Sequence, residues 1–390
     1  MKELKVYKGL GYNAFLIMGA ISTYISAVMP LISDSLSLSY EQVGLIFAGN
    51  SIGFLIGALF IGTLIDYIGT KKPLLISCLT FPLGVVLFAL AKTEGMLIAG
   101  NIIIGFGVSS LEIAIPPISS KFRGESGKLL NLIHAFFALG SMISPLIASF
   151  FISRELPYIA FFFVIAGYTC IPLYFSGKLT IHIQPAKKSE QTNQKIYAVN
   201  ILKNKYFWII FAAIFFYVGS EIGVFSWAPL YSTDYLNNSE EISSLLPSIF
   251  WMGLLAGRFL SARFVDKVGH LKWLMLVTIV GLPITFLSQM PPSLFWLMSI
   301  FMCLSGLIHS SIFPTLQSLL VETIHEGLGF ALSLFTVAAS LGSLFAGFII
   351  GRISNGLGIQ WGYFTPFIMF CGVFLMIMLF ALSYRKSVKE

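Results

Sequence analysis

A chain of 390 residues that is 57% hydrophobic and 11% charged is neither a water-soluble domain nor a disordered one, since soluble domains carry about 25% charge and disordered segments are poor in apolar residues. The net charge of +7 is dispersed over short segments between apolar runs, which excludes the basic patch that nucleic-acid binding needs. Cys78, Cys170, Cys303 and Cys371 fall inside apolar runs without C-x-x-C spacing, so no disulfide, metal or other cofactor is expected.

In chain order, the apolar runs predict twelve membrane spans at 9–32, 44–66, 73–91, 95–120, 128–152, 156–176, 206–232, 246–265, 272–290, 294–320, 327–351 and 361–384. Crossing a hydrocarbon core of about 30 Å takes about 20 apolar residues in a helix. The runs do not alternate as barrel strands do, so the fold class is all-α. Behind the short basic segment Met1 to Lys8, the first run has no small-residue cleavage site. It reads as a span rather than a removed signal.

Twenty of the 24 Lys and Arg residues fall on the side of the N-terminus, against Lys92, Arg154 and Arg352 on the other. That asymmetry predicts both termini in the cytoplasm of a cell-membrane protein. The outer loops 33–43 and 233–245 carry Asp34, Glu41, Asp234, Glu240 and Glu241 and no base. The second also holds Asn237-Asn238-Ser239, a weak match to a glycosylation acceptor. The polar stretch 177–205 reads as a flexible cytoplasmic linker between two halves, 1–176 and 206–390.

The halves share a motif. Gly53, Gly57, Asp66 and Gly69 read G-x3-G-x8-D-x2-G, and Gly253, Gly257, Asp266 and Gly269 repeat it at an offset of 200. Leu139-Gly140-Ser141 and Leu341-Gly342-Ser343 are a weaker echo, as are Pro116 and Pro314. Parallel repeats of six helices, with a small-molecule substrate held between them, are one of the carrier architectures. Small residues let such helices approach closely. Gly62 to Lys72 resembles the loop 2–3 signature of the major facilitator superfamily, with a degenerate copy at Ala262 to Lys272. The resemblance implies the twelve-helix fold of that family and a gating role for Asp66, Gly69, Asp266 and Gly269. A carboxylate there is favoured if it sits near a helix N-terminus.

Two acids fall well inside predicted spans, Glu112 and Glu221. Placing a charge at the bilayer centre costs about 2.5–3.5 kcal/mol on insertion scales, so such residues mark proton or substrate sites. Pro116 and Pro117 cannot donate to the carbonyls of residues 112 and 113, so a kink is expected beside Glu112. Either acid could instead be neutral and hydrogen-bonded to a neighbouring helix, or paired with Arg258. Arg258 is itself a candidate gate residue, facing Glu322 or Glu326.

The stretches Gly105 to Pro117, Leu130 to Phe137 and Phe215 to Glu221 resemble motifs of the fucose–galactose–glucose:proton symporter group, with His134 where that group has glutamine. The first span carries no acid and has Asn13 as its only amide, a departure from the fucose branch. The resemblance implies transport of a sugar coupled to protons, with sodium as an alternative ion. Amide, carboxylate and indole groups suit a sugar. Asn131, His134, Tyr217, Trp227, Trp251, His309 and Gln317 are the candidate contacts, each as readily explained by packing. His309 and Gln317, eight residues apart, would share a helix face. Gly140-x3-Ser144-Pro145-x2-Ala148-Ser149 is a weakened antiporter signature, which keeps open efflux of a drug or metabolite. No Walker A or nucleophile-elbow sequence is present, so the chain is not expected to be an enzyme. It is expected to work as a monomer.

Overall fold

A computed structural model describes residues 2–122, 125–181, 194–261, 263–289, 294–324 and 327–387. At 66, 127, 194–198 and 384–387 it describes the backbone alone. Among the described residues twelve helical segments are long and apolar enough to cross a membrane. They are α1 (Lys2–Ala27), α2 (Tyr40–Ile65), α3 (Lys71–Ala89), α4 (Glu94–Lys121), α5 (Lys128–Ser153), α6 (Ile159–Lys178), α7 (Lys205–Asp234), α8 (Glu240–Ser261), α9 (His270–Gln289), α10 (Phe295–Thr323), α11 (Leu328–Leu357) and α12 (Ile359–Ser383). No strand occurs among the described residues.

Most boundaries lie within a few residues of the hydropathy reading. The first helix differs more. It starts at Lys2, stops at Ala27, and a separate short helix, Met29–Leu36, follows. Pro30 sits in the first turn of that short helix, where its missing N–H is harmless, and the chain bends just before it. The expected linker is partly helical: Gln194–Lys203 forms a helix. The remainder of its polar core, including Lys187 and Lys188, lies outside the described residues.

By contact the chain divides into two units, Met1–Lys187 with Ser232–Ser248, and Lys188–Tyr231 with Ile249–Glu390. Each is built the same way. In the first, α2 packs on α4 so closely that a Cβ on Gly53 would run into the Ile102 carbonyl, one on Gly57 into Ser109, and one on Gly105 into the Asn50 carbonyl. In the second, α8 packs on α10 with Gly253 against the Cys303 carbonyl, Gly257 against Ser310, and Gly306 against the Phe250 carbonyl. These three pairs sit at offsets of 200 to 201, so the sequence repeat is also a repeat of helix contacts. The close approach is the small-residue packing that replaces the hydrophobic drive missing in lipid.

The loop glycines repeat too. Gly69 caps its helix with φ 74°, its N–H donating to the Ile65 carbonyl at 2.8 Å. Gly269 does the same with φ 88°, donating to the Val265 carbonyl at 2.8 Å. A side chain would be strained at either φ.

Candidate functional site

Glu112 lies in the last turn of the regular part of α4, which ends at Ala114 and passes into a 3-10 turn, Pro116–Lys121. The expected disruption at the two prolines is therefore present. The Ile115 carbonyl, at this transition, accepts a hydrogen bond from Tyr7 Oη at 3.4 Å. Glu112 is half-buried. Among the described residues nothing hydrogen-bonds to it or pairs with it.

Elsewhere in the first unit, α1, α5 and α6 carry polar and aromatic groups. Asn131 and His134 are exposed on α5. The His134 ring sits edge-on to Phe15 at 5.2 Å. One turn away Tyr12 stacks on Phe136 at 4.4 Å. Asn13 accepts a hydrogen bond from Tyr168 Oη at 2.5 Å. Asn50 and Asn101, which no motif singled out, join α2 to α4 at 3.0 Å. Their burial in an apolar helix pair was the available signal.

Glu221 has a different environment, within the second unit. It is half-buried on α7, and Tyr217 Oη, one turn away on the same helix, donates to its Oε1 at 2.8 Å. The same hydroxyl is 2.9 Å from the His309 carbonyl. The imidazole of His309 is fully buried. Its Nδ1 is 2.8 Å from the Ser305 carbonyl, which can only accept, so Nδ1 carries the hydrogen. Nε2 is then the acceptor, and Ser220 Oγ donates to it at 3.2 Å. Phe250 and Phe370 flank the ring at 5.7 and 5.0 Å. Arg258 of α8 is within electrostatic reach of Glu221 and Tyr217 but forms no ion pair with the acid. Ser220 and Ser305 were not legible as site residues, because a serine in an apolar span has no distinctive spacing.

One expectation about α10 needs correction. His309 and Gln317 do not lie on one unbroken helix. The helix breaks at Ser310 and Ser311, ahead of Pro314, between Phe295–His309 and Ile312–Thr323. Pro314 has no N–H for the Ser310 carbonyl, so the helical ladder is interrupted between the two pieces. His309 ends up buried and Gln317 exposed. Trp227 and Trp251 are buried on α7 and α8, and Trp251 packs edge-on to Phe225 at 5.9 Å.

The gate residues are arranged less simply than their motif suggests. Asp66 lies in the last turn of the helix Tyr40–Ile68, not at an N-terminus. Asp266 is exposed in the first turn of the short helix Val265–Val268. His270 Nε2 approaches it at 3.9 Å, while His270 Nδ1 bonds Glu322 at 2.8 Å. Glu322 is thus engaged by His270 rather than by Arg258, and Glu326 lies outside the described residues. Residues of the weakened antiporter signature serve α1–α5 packing: Gly140 abuts the Leu16 carbonyl, and Ser144 Oγ donates to the Ala20 carbonyl at 2.7 Å.

A family model for the major facilitator superfamily matches residues 12–287 and 233–390. The chain belongs to the major facilitator superfamily. Its members here are transporters rather than enzymes. Among curated relatives, the glucose/mannose transporter GlcP of Bacillus subtilis is 24% identical over 363 residues, 88% of this chain and 87% of that one. A putative glucose/galactose transporter of Helicobacter pylori is 24% identical over 333 residues, 78% of each chain. A protein TsgA homolog of Buchnera aphidicola is 27% identical over 253 residues, 64% of this chain and 63% of that protein, so this match spans just under two thirds of the relative. Among solved structures, the D-xylose-proton symporter aligns with a TM-score of 0.74 at 19% identity, covering 97% of this chain and 96% of that one. The nucleoside transporter NupG aligns at 0.73 and 16%, covering 98% and 99%. At these identities the structural likeness speaks for the fold alone. The protein is a multi-pass membrane protein of the superfamily.

Proposed function

We propose that this transporter is a symporter of the cell membrane that carries a sugar by alternating access, driven by protons, with both termini in the cytoplasm. The observation that carries the reading is Glu112, a half-buried carboxyl beside the α4 break with no partner among the described residues. Reorienting the substrate-loaded carrier, its cleft sealed, with that group ionised costs on the order of 2.5–3.5 kcal/mol, a suppression of roughly a hundredfold. Protonation removes the cost, so the loaded carrier crosses with its proton. The empty carrier, whose carboxylate is hydrated once substrate has left, returns without one, and the gradient sets the direction. Glu221 is a second proton site. In the first unit Asn131 and His134, with the aromatic groups of α1, and in the second Gln317, with the aromatic groups of α7 and α8, are of the hydrogen-bonding and ring-stacking types that suit a sugar. The relatives named for glucose, mannose and galactose support a hexose as the substrate class.

The test is uptake of radiolabelled glucose, galactose, mannose and fucose into vesicles with and without an inward acid gradient. Accumulation of at least one sugar above equilibrium, abolished by a protonophore, is the expected result. Extrusion of substrate in exchange for protons, with no sugar accumulated, would overturn it in favour of efflux.

A further inference from the structure

We propose that Tyr217 is a positioning residue that couples the protonation of Glu221 to the break in α10, an inference that rests on the proton-coupled reading above. The argument is a count of hydrogens. Tyr217 Oη lies 2.8 Å from Glu221 Oε1 and 2.9 Å from the His309 carbonyl oxygen. A phenol carries one O–H hydrogen, and a carbonyl or carboxylate oxygen can only accept.

With Glu221 ionised, one hydrogen faces two acceptors. The carboxylate wins it, because a charge-assisted hydrogen bond is about twice as strong as a neutral one. The His309 carbonyl then loses its tie to α7. With Glu221 protonated, the carboxyl supplies its own hydrogen and donates to Tyr217 Oη. Tyr217 is free to donate to His309. Both contacts are satisfied at once only in the protonated state, and no hydrogen is gained or lost except the one that Glu221 takes up.

The location gives the relay something to act on. The His309 carbonyl ends the first helical piece of α10, directly before the turn at Ser310 and Ser311. The helical ladder there is already interrupted by Pro314, so a contact from outside the helix has more leverage than it would mid-helix. Ser220 holds the other side of the same residue through Nε2 at 3.2 Å, a bond that does not change with Glu221. The groups that face the pair are Tyr217 on α7 itself, Arg258 from α8 and the neutral His309 from α10. Glu221 is the member of this set whose proton count switches the pattern.

Amide hydrogen exchange read by mass spectrometry, on the purified protein in lipid nanodiscs at pH 5.5 and 8.5, tests the relay. After correction for intrinsic exchange, the peptide covering 309–316 should exchange roughly three- to tenfold faster at the alkaline pH, the range that one ordinary hydrogen bond spans. Glu221→Gln donates permanently to Tyr217 and should stay slow at both values. Tyr217→Phe should stay fast at both. The relay is overturned if the wild type shows equal exchange at the two values, or if either variant keeps the wild-type difference. Because this readout needs no substrate, it fails independently of the transport reading: sugar accumulation could survive a negative result here, and the reverse.

Discussion

At the residue scale, two carboxyls inside membrane spans, Glu112 on α4 and Glu221 on α7, differ in what holds them. Glu112 and Glu221 were visible because a carboxyl in an apolar span is expensive and therefore rare. Their difference was not. Glu221 accepts a hydrogen bond from Tyr217 at 2.8 Å, whereas Glu112 has no partner among the described residues, and nothing in the spacing of α4 or α7 foretells that. His134 is exposed on α5 beside Phe15. If it contributes to the sugar surface, His134→Ala should raise the half-saturating sugar concentration about tenfold, as expected for losing one good hydrogen bond, with unchanged expression and melting temperature. An unchanged affinity would remove α5 from the site. Gly269 isolates a backbone effect, since φ is 88° and nothing lies within 4 Å of where its Cβ would go. Gly269→Ala should cost about 1–3 kcal/mol of stability through strain alone, seen as a lower thermal midpoint in detergent.

At the scale of helices, existence and order were legible and the breaks only partly so. Prolines at 116 and 117 announced the end of regular helix in α4, and the 3-10 turn Pro116–Lys121 is there. Pro314 is the counterpart of Pro116, and it interrupts the single face that an eight-residue spacing predicts for His309 and Gln317. A face-sharing argument needs an unbroken helix, and the break at Ser310 and Ser311 removes that premise. The glycine repeat carried further, because small residues at a fixed offset have few physical reasons other than close helix contact. Gly53→Val and Gly253→Val should each lower the thermal midpoint, by about 1–3 kcal/mol of overpacking, since both meet a backbone carbonyl that cannot rotate away. Gly62→Ala, with open space around it, should be neutral. Equal tolerance at all three would deny that the repeat is a packing device.

At the scale of the whole molecule, hydropathy made the span number legible, since water and lipid constrain every segment separately, and the distribution of Lys and Arg is the basis of the proposed orientation. Substrate identity was not legible, because hydrogen-bonding side chains for a sugar are the same ones that serve helix packing. Ser144 and Asn101 illustrate this, both spent on neighbouring backbone. The orientation predicts that tags at either terminus are protected in intact cells and cleaved after permeabilisation. Cleavage at one terminus in intact cells would deny an even number of spans. The central claim is that Glu112 converts a proton gradient into solute accumulation. It is tested most directly by comparing wild type and Glu112→Gln in proteoliposomes loaded with labelled sugar on one side. The account predicts that the variant exchanges labelled for unlabelled sugar at near wild-type rates but accumulates none under an acid gradient. Accumulation by Glu112→Gln equal to the wild type would contradict it.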